Sequence, residues 1–155
     1  MTEIVTEDPP VEPGWVKVVE ARTGRFAARL LDGRHQLVAD EPKEVGGSDL
    51  GPGPYELLLM ALGACKTMTV RLYAERKQWP LEQVSVRLRH RRIHAQDCAD
   101  CETKEGMLDR IDCVIELAGA LDGEQRARLF EIASKCPVHR TLTSEISIQS
   151  RLLEG

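Results

Sequence analysis

The segment Pro54-Tyr-Glu-Leu-Leu-Leu-Met-Ala-Leu-Gly-Ala-Cys65 constrains this chain more than any other. It follows a loop, Glu44 to Pro54, that is rich in glycine and proline, and it runs on polar-apolar to Lys77. A proline in the first turn of a helix loses no hydrogen bond, and the residue before a proline tends to leave the helix. The pattern therefore predicts a helix from about Pro54 to Trp79, stopping before Pro80. Its first half, Leu57 to Cys65, is apolar on every side, and such a helix must be buried all round. A chain of 155 residues has little to wrap it with, so a second subunit is expected to help.

The rest of the composition narrows the class. Hydrophobic residues make up 42% but aromatics only 4%, so Leu, Val, Ile, Ala and Met must fill the core. A net charge of −4 argues against a nucleic-acid binder, whose footprint is basic. The acidic N-terminus lacks the apolar stretch of a signal peptide, and no unbroken run of about 18 apolar residues marks a membrane span. A soluble cytoplasmic protein is expected, and in that compartment thiols stay reduced unless they turn over. Five cysteines is an odd count, which also argues against a disulfide scaffold. We expect residues 1–13 to be a flexible acidic tail and residues 14–155 to form a single domain.

Strand-like runs at Trp15 to Ala21, Phe26 to Leu31 and His35 to Ala39 are separated by the turns Thr23-Gly24 and Asp32-Gly33. Alternation at Val84, Val86 and Leu88, and again at Ile111, Cys113, Ile115 and Leu117, predicts two half-exposed strands. A polar loop from Ala95 to Asp109 lies between them. Asp122 with Gln125 three residues on is a capping-box pattern for a helix from about Gly123 to Ser134. Cys136-Pro137 starts a short further helix, and Ile146-Ser147-Ile148 reads as a last strand.

The cysteines differ in setting. Cys113 holds an inward strand position and reads as core, where free cysteine behaves as a small hydrophobe. Cys65 has Ala61, Leu62, Met68 and Thr69 one turn to either side. Lys66 is adjacent to it but points about 100° away around the helix. On pattern alone Cys65 reads as either a core thiol or a redox centre. Cys136 precedes a proline at a helix start, a position that favours a thiolate, and His139 can reach the same sulfur. Cys98 and Cys101 form a Cys-x-x-Cys in the polar loop. With His94 and His90 nearby they are candidate zinc ligands, a redox pair, or ordinary loop residues. The basic run Val86 to His94 reads as the solvated face of a strand.

Glu44-Val45-Gly46-Gly47, the glycine- and proline-rich loop, the Pro54 to Cys65 segment and Lys135-Cys136-Pro137 together resemble the OsmC/Ohr family. The resemblance covers roughly Arg22 to Ile148. Asp97 to Gly106 with Cys136-Pro-Val-His-Arg-Thr-Leu142 looks like an OsmC-like branch of it. The family implies an α+β fold, with antiparallel sheets around long central helices in an interlocked homodimer and active sites at the subunit interface. It also implies thiol peroxidase chemistry on organic hydroperoxides, in oxidative-stress defence. Cys65 then matches the attacking cysteine and Cys136 the resolving one, and an external dithiol, lipoyl groups in some members, reduces their disulfide. No cofactor, resident metal, membrane or nucleic-acid partner is implied. Arg22 is the best match for the family's thiolate-stabilising arginine, with Arg25 as fallback and His139 as a further site residue. The glutamate that clamps that arginine corresponds to Glu56, one position later than in the family pattern. Nine residues before Cys65, it stands roughly 180° away around an ideal helix. The alternatives are an OsmC-like domain with a ligand-binding or interaction role, and a thiol or metal module using Cys98, Cys101 and His94.

Overall fold

The computed structural model describes residues 10–155. The acidic tail expected at the N-terminus lies mostly outside the described residues. The fold is α+β, and the chain divides into two compact units between Leu57 and Leu58.

The first unit is an antiparallel meander of β1 (Lys17–Glu20), β2 (Ala28–Leu31) and β3 (Gln36–Ala39), in that order. Val19 faces Arg29, and Leu30 faces Leu37. The predicted strands are present but shorter. Asp32 shapes the β2–β3 turn, its Oδ1 accepting the backbone N–H groups of Arg34 and His35 at 2.8 and 2.6 Å. Asp40 closes the following loop. Its carboxylate accepts from the N–H of Glu41, Ser48 and Leu50 at 2.8, 3.1 and 3.2 Å. Burial pushes the Asp40 carboxyl up, and those three N–H groups overcome this and hold it below its ordinary value. A 3₁₀ turn at Lys43–Val45 ends at Gly46, whose φ of +92° suits glycine.

Helix α1 spans Pro54–Arg76. Glu56 Oε2 accepts the Gly53 N–H at 2.8 Å and so satisfies a donor just before the first turn. At the other end Gln78 takes the left-handed conformation with φ 56°. Its N–H reaches the Glu75 carbonyl at 3.0 Å, and the Trp79 N–H reaches Ala74 at 2.9 Å. This is a Schellman closure with glutamine where glycine is usual. It stops the helix three residues short of Trp79.

The second unit, Leu58–Gly155, holds the rest of α1, a long hairpin and two helices. Strands β4 (Leu81–His94) and β5 (Met107–Gly119) pair antiparallel, with Arg87 opposite Val114 and Leu88 opposite Cys113. Both run well beyond the apolar alternation because charged partners continue it. Arg87 pairs with Glu116, Arg89 and Arg91 with Asp112, and His90 with Asp109. The basic run is thus a strand face neutralised by the acidic residues of its neighbour. Helix α2 (Gly123–Ala133) starts with the expected Asp122–Gln125 capping box. Helix α3 (Pro137–Leu142) has Cys136 as its N-cap. Val70, Ala74, Leu81, Leu121, Leu129 and Ala133 form a core with Tyr73, Trp79, Ile115 and Leu117 packed on it. Arg71 ties α1 to the start of β4 through the Leu81 and Glu82 carbonyls.

Within one copy of the chain α1 is buried along one stripe, Leu62, Gly63, Lys66, Val70 and Ala74; burial all round was expected only with a second subunit. Met60 and Met68 remain 58% and 69% exposed, because one copy of the chain supplies only one packing face. Gly63 belongs to that stripe because a Cβ there would lie 2.8 Å from Leu88 Cδ1. By length and mean hydropathy α1 could cross a membrane, yet its stripe serves as the core helix of this unit. Ile146-Ser147-Ile148 is not a strand. It pairs with no neighbour among the described residues, and Ile148 is 84% exposed. Alternation alone does not make a strand where no ladder partner is available.

Candidate active site

Helix α1 carries Cys65 and Lys66, and the turn between α2 and α3 carries Cys136. The Cys136 side chain points inward and accepts the His139 N–H at 3.3 Å, as an N-cap does. Cys65 is among the groups that act on the Cys136 thiol, so the two cysteines share one site. Both are free. Cys136 is wholly buried while Cys65 keeps part of its surface.

The electrostatics of the pair centre on a residue that the sequence pattern turned away from it. Lys66 is only 2% exposed. Its Nζ donates to the Ala133 carbonyl at 3.0 Å and to His139 Nδ1 at 2.9 Å. An ammonium has no acceptor, so Nδ1 is the acceptor and the His139 proton sits on Nε2. Burial, with the Lys66 charge added, pushes the His139 pKa below its ordinary value. His139 is therefore neutral, and the cation beside the pair is Lys66. Burial pushes the Cys136 thiol up, the His139 N–H offsets part of this, Cys65 adds to it, and Lys66 pulls it back. The helix-start position predicts a thiolate at Cys136, but desolvation outweighs one N–H bond from a single-turn helix. Cys113, from β5, feels the same two opposing influences, burial first and then Lys66.

His139 also lines a cavity of about 210 Å³ whose apolar wall includes Leu62, Ile111, Cys113 and Leu142. A larger cavity, about 590 Å³, lies along Tyr73, Trp79 and Arg128 and holds none of the predicted site residues.

The family model described as OsmC-like protein matches residues 46–151. The chain belongs to the OsmC-like protein family. Solved structures share its fold. An OsmC like protein from Mycoplasma pneumoniae superposes with a TM-score of 0.62 at 22% identity, over 82% of this chain and 84% of that one. An organic hydroperoxide resistance protein from Legionella pneumophila gives 0.59 at 22%, covering 83% and 88%. The organic hydroperoxide resistance protein OhrB of Bacillus subtilis gives 0.55 at 17%, covering 83% and 89%. No match was found among curated proteins.

In this OsmC-like chain the predicted site residues fall in both units. Arg22, Arg25 and Glu56 belong to the first, while Cys65, Cys136 and His139 belong to the second. Arg22 sits just after β1 with φ 57°. Arg25 stacks on the Phe26 ring at 4.8 Å. Glu56 is engaged in the cap of α1. Cys98 and Cys101 are joined as a disulfide, with Cα atoms 5.5 Å apart. Among the described residues, Cys98, Asp100 and Cys101 are the group close enough to share a cation. His94, exposed at the end of β4, does not belong to it. Lys66 is the candidate site residue the sequence reading missed, although its four-residue spacing from Leu62 and Val70 signals a shared stripe.

Proposed function

We propose that this chain is a cysteine-based thiol peroxidase acting on organic hydroperoxides, with Cys65 attacking and Cys136 resolving. What supports this is the setting of the two free thiols at one site, Cys65 partly open and Cys136 wholly buried, with Lys66 acting on the buried one. Peroxide can meet Cys65 and not Cys136. The Cys65 thiolate attacks the distal peroxide oxygen and the O–O bond breaks. Cys65 becomes a sulfenic acid, and the alkoxide takes a proton to leave as an alcohol. The Cys136 thiol then displaces hydroxide from that sulfenic acid, giving a Cys65–Cys136 disulfide and water. An external dithiol of the lipoyl type restores both thiols and is itself oxidised.

Lys66 supplies the positive charge that favours a thiolate at the pair. The neutral His139 presents an Nε2–H that can serve the departing alkoxide, and the apolar cavity beside it suits an organic substituent. On this reading Arg22 and Glu56 are not needed as the sole ionising pair, which agrees with the capping role of Glu56. The exposed apolar side chains of α1 support a homodimer in which a second copy covers them. We place the protein in the cytoplasm, in oxidative-stress defence, with no cofactor.

The test mixes purified protein with an organic hydroperoxide and a dithiol and follows peroxide loss. The reading predicts turnover that a Cys65→Ser variant abolishes, and a Cys65–Cys136 linked peptide by mass spectrometry after oxidation. Peroxide loss no faster than that of the variant would sink it and leave an OsmC-like domain with a binding or interaction role.

A further inference from the structure

The peroxidase reading leaves Cys98 and Cys101 unused, yet they are the oxidised pair in a chain whose other three cysteines are free thiols. A structural staple does not explain them. A cross-link over a sequence separation of 3 closes a very short loop, where the constraint on the unfolded chain is smallest. The loop is also closed without it, by the Ala95 N–H on the Gly106 carbonyl at 2.8 Å and the Cys98 N–H on Ala95 at 3.2 Å.

The two sulfurs are unequal. Cys98 is 5% exposed, whereas Cys101 is more open and its neighbours on both sides are exposed. Arg110, held on β5, donates from Nη2 to Cys98 Sγ at 3.4 Å. Asp100 Oδ1 lies 3.4 Å from the same sulfur. In the disulfide that sulfur has no hydrogen to donate, and the reduced thiol can donate a hydrogen bond to the carboxylate. Lys104 donates to the Cys101 carbonyl. Thiol–disulfide exchange depends on access to the attacked sulfur and on how well the other sulfur leaves. Here the accessible sulfur is Cys101, and the sulfur with a guanidinium on it is Cys98.

We propose that Cys98–Cys101 is a second thiol–disulfide exchange centre, one that takes a dithiol as its partner. One thiolate of the dithiol attacks Cys101 Sγ. The Sγ–Sγ bond breaks and Cys98 leaves as a thiolate under the Arg110 guanidinium. The second thiol of the partner attacks the mixed disulfide and frees Cys101. The dithiol is oxidised to its disulfide, two electrons and two protons pass to the protein, and the reverse sequence restores the starting state. Arg110 is a positioning residue in this scheme, acting through Cys98. A disulfide that turns over also reconciles this bond with a cytoplasmic setting, where inert ones are not maintained.

The experiment equilibrates the full chain in buffers of graded reduced-to-oxidised dithiothreitol ratio. Each sample is quenched in acid and alkylated, and labelling of Cys98 and Cys101 is read by peptide mass spectrometry. We expect the two residues to titrate together along one curve, the same from the reduced and the oxidised side. In Arg110→Gln the pair should be reduced about tenfold more slowly, the scale of a lost charge-assisted bond, and the midpoint should move toward more reducing ratios. Arg110→Lys should restore most of both. Three results would overturn the proposal: a pair already alkylated in untreated protein, a pair reduced only after denaturation, or a reduced pair that holds stoichiometric zinc with Asp100 and does not reoxidise. A wild-type rate and midpoint in Arg110→Gln would do the same. Neither peroxide nor Cys65 enters the measurement, so its outcome is independent of the peroxidase reading.

Discussion

Replacing Lys66 with methionine separates its chemical role from its structural one. The side chain is 2% exposed, and its ammonium bonds one carbonyl and one imidazole nitrogen, at 3.0 and 2.9 Å, and pairs with no carboxylate among the described residues. Keeping a charge there opposes folding, because desolvation of an ammonium costs several kcal/mol before its bonds offset it. Methionine has nearly the same length and carries no charge. Lys66→Met should therefore fold with an unchanged or higher Tm, since replacing buried ionic groups by apolar ones of similar volume is often neutral or stabilising. The thiols respond the other way. Lys66 lowers the proton affinity of both Cys136 and Cys113. A single opposite charge within about 4–6 Å moves a pKa by about 1–3 units. Without that charge the Cys136 proton is held more tightly, so the pH dependence of peroxide turnover should move upward. Peroxide turnover near pH 7 should fall by about tenfold, the scale of one lost neighbouring charge.

The assay is peroxide turnover across pH, alongside thermal melting. Lys66→Arg keeps the charge and should keep most of the activity at some cost in packing. A methionine variant that melts normally yet turns over peroxide with the wild-type rate and pH dependence would refute the assignment of Lys66 as the cation and return that role to Arg22. The same variant should raise the His139 pKa, measured by imidazole NMR. Burial would still hold it below its ordinary value, but the Lys66 repulsion would be gone.

Other outcomes follow from the same geometry. Gln78→Gly should raise stability by about 0.5–1 kcal/mol, because a left-handed residue with a side chain is strained and glycine is not; in this size class that is about 1–4 °C in Tm. The Glu131 pKa is lowered from 4.5 to about 2 by Lys135 and then Arg128. Its contribution is therefore present above pH 4.5 and is lost as pH falls toward 2, so melting curves of wild type and Glu131→Gln should converge over that window. Met68→Glu should weaken a dimer seated on the exposed face of α1, and sedimentation should show monomer where the wild type is dimeric. A monomeric wild type would overturn that assembly.

Much of the fold could be read before the structure was known. Asp122 and Gln125 mark the start of α2 because a capping box is local chemistry, satisfied by residues three apart. The alternation at Val84 to Leu88 and at Ile111 to Leu117 marks β4 and β5 because one face of each packs on a core. Their full length was not legible. The outer ends hold together through Arg89, Arg91 and Asp112, and cross-strand charge pairing depends on a register that neither strand reveals alone. Ile146 to Ile148 fails for the converse reason: its alternation is present and its ladder partner is not.

The site shows the same limit in its energetics. Cys65 and Cys136 were proposed as a pair because their surrounding motifs resemble a family, and in the fold Cys65 is among the groups that act on the Cys136 thiol. The cation was not legible. A lysine in an apolar helix is ordinarily assigned to solvent, since an ammonium is rarely fully buried. Yet Leu62, Lys66, Val70 and Ala74 recur at four-residue spacing, and three of the four are plain core residues. A charged residue inside such a register is either an exposed edge or a buried charge kept against its desolvation cost. The second case calls for a reason beyond stability. Here that reason sits one residue away, in a thiol pair whose buried member is pushed away from ionisation by its surroundings. The desolvation that makes Cys136 a poor thiolate also strengthens the field of the lysine beside it. A cation displaced into solvent would be screened and could act only weakly on that pair, so the role proposed for Lys66 depends on its burial.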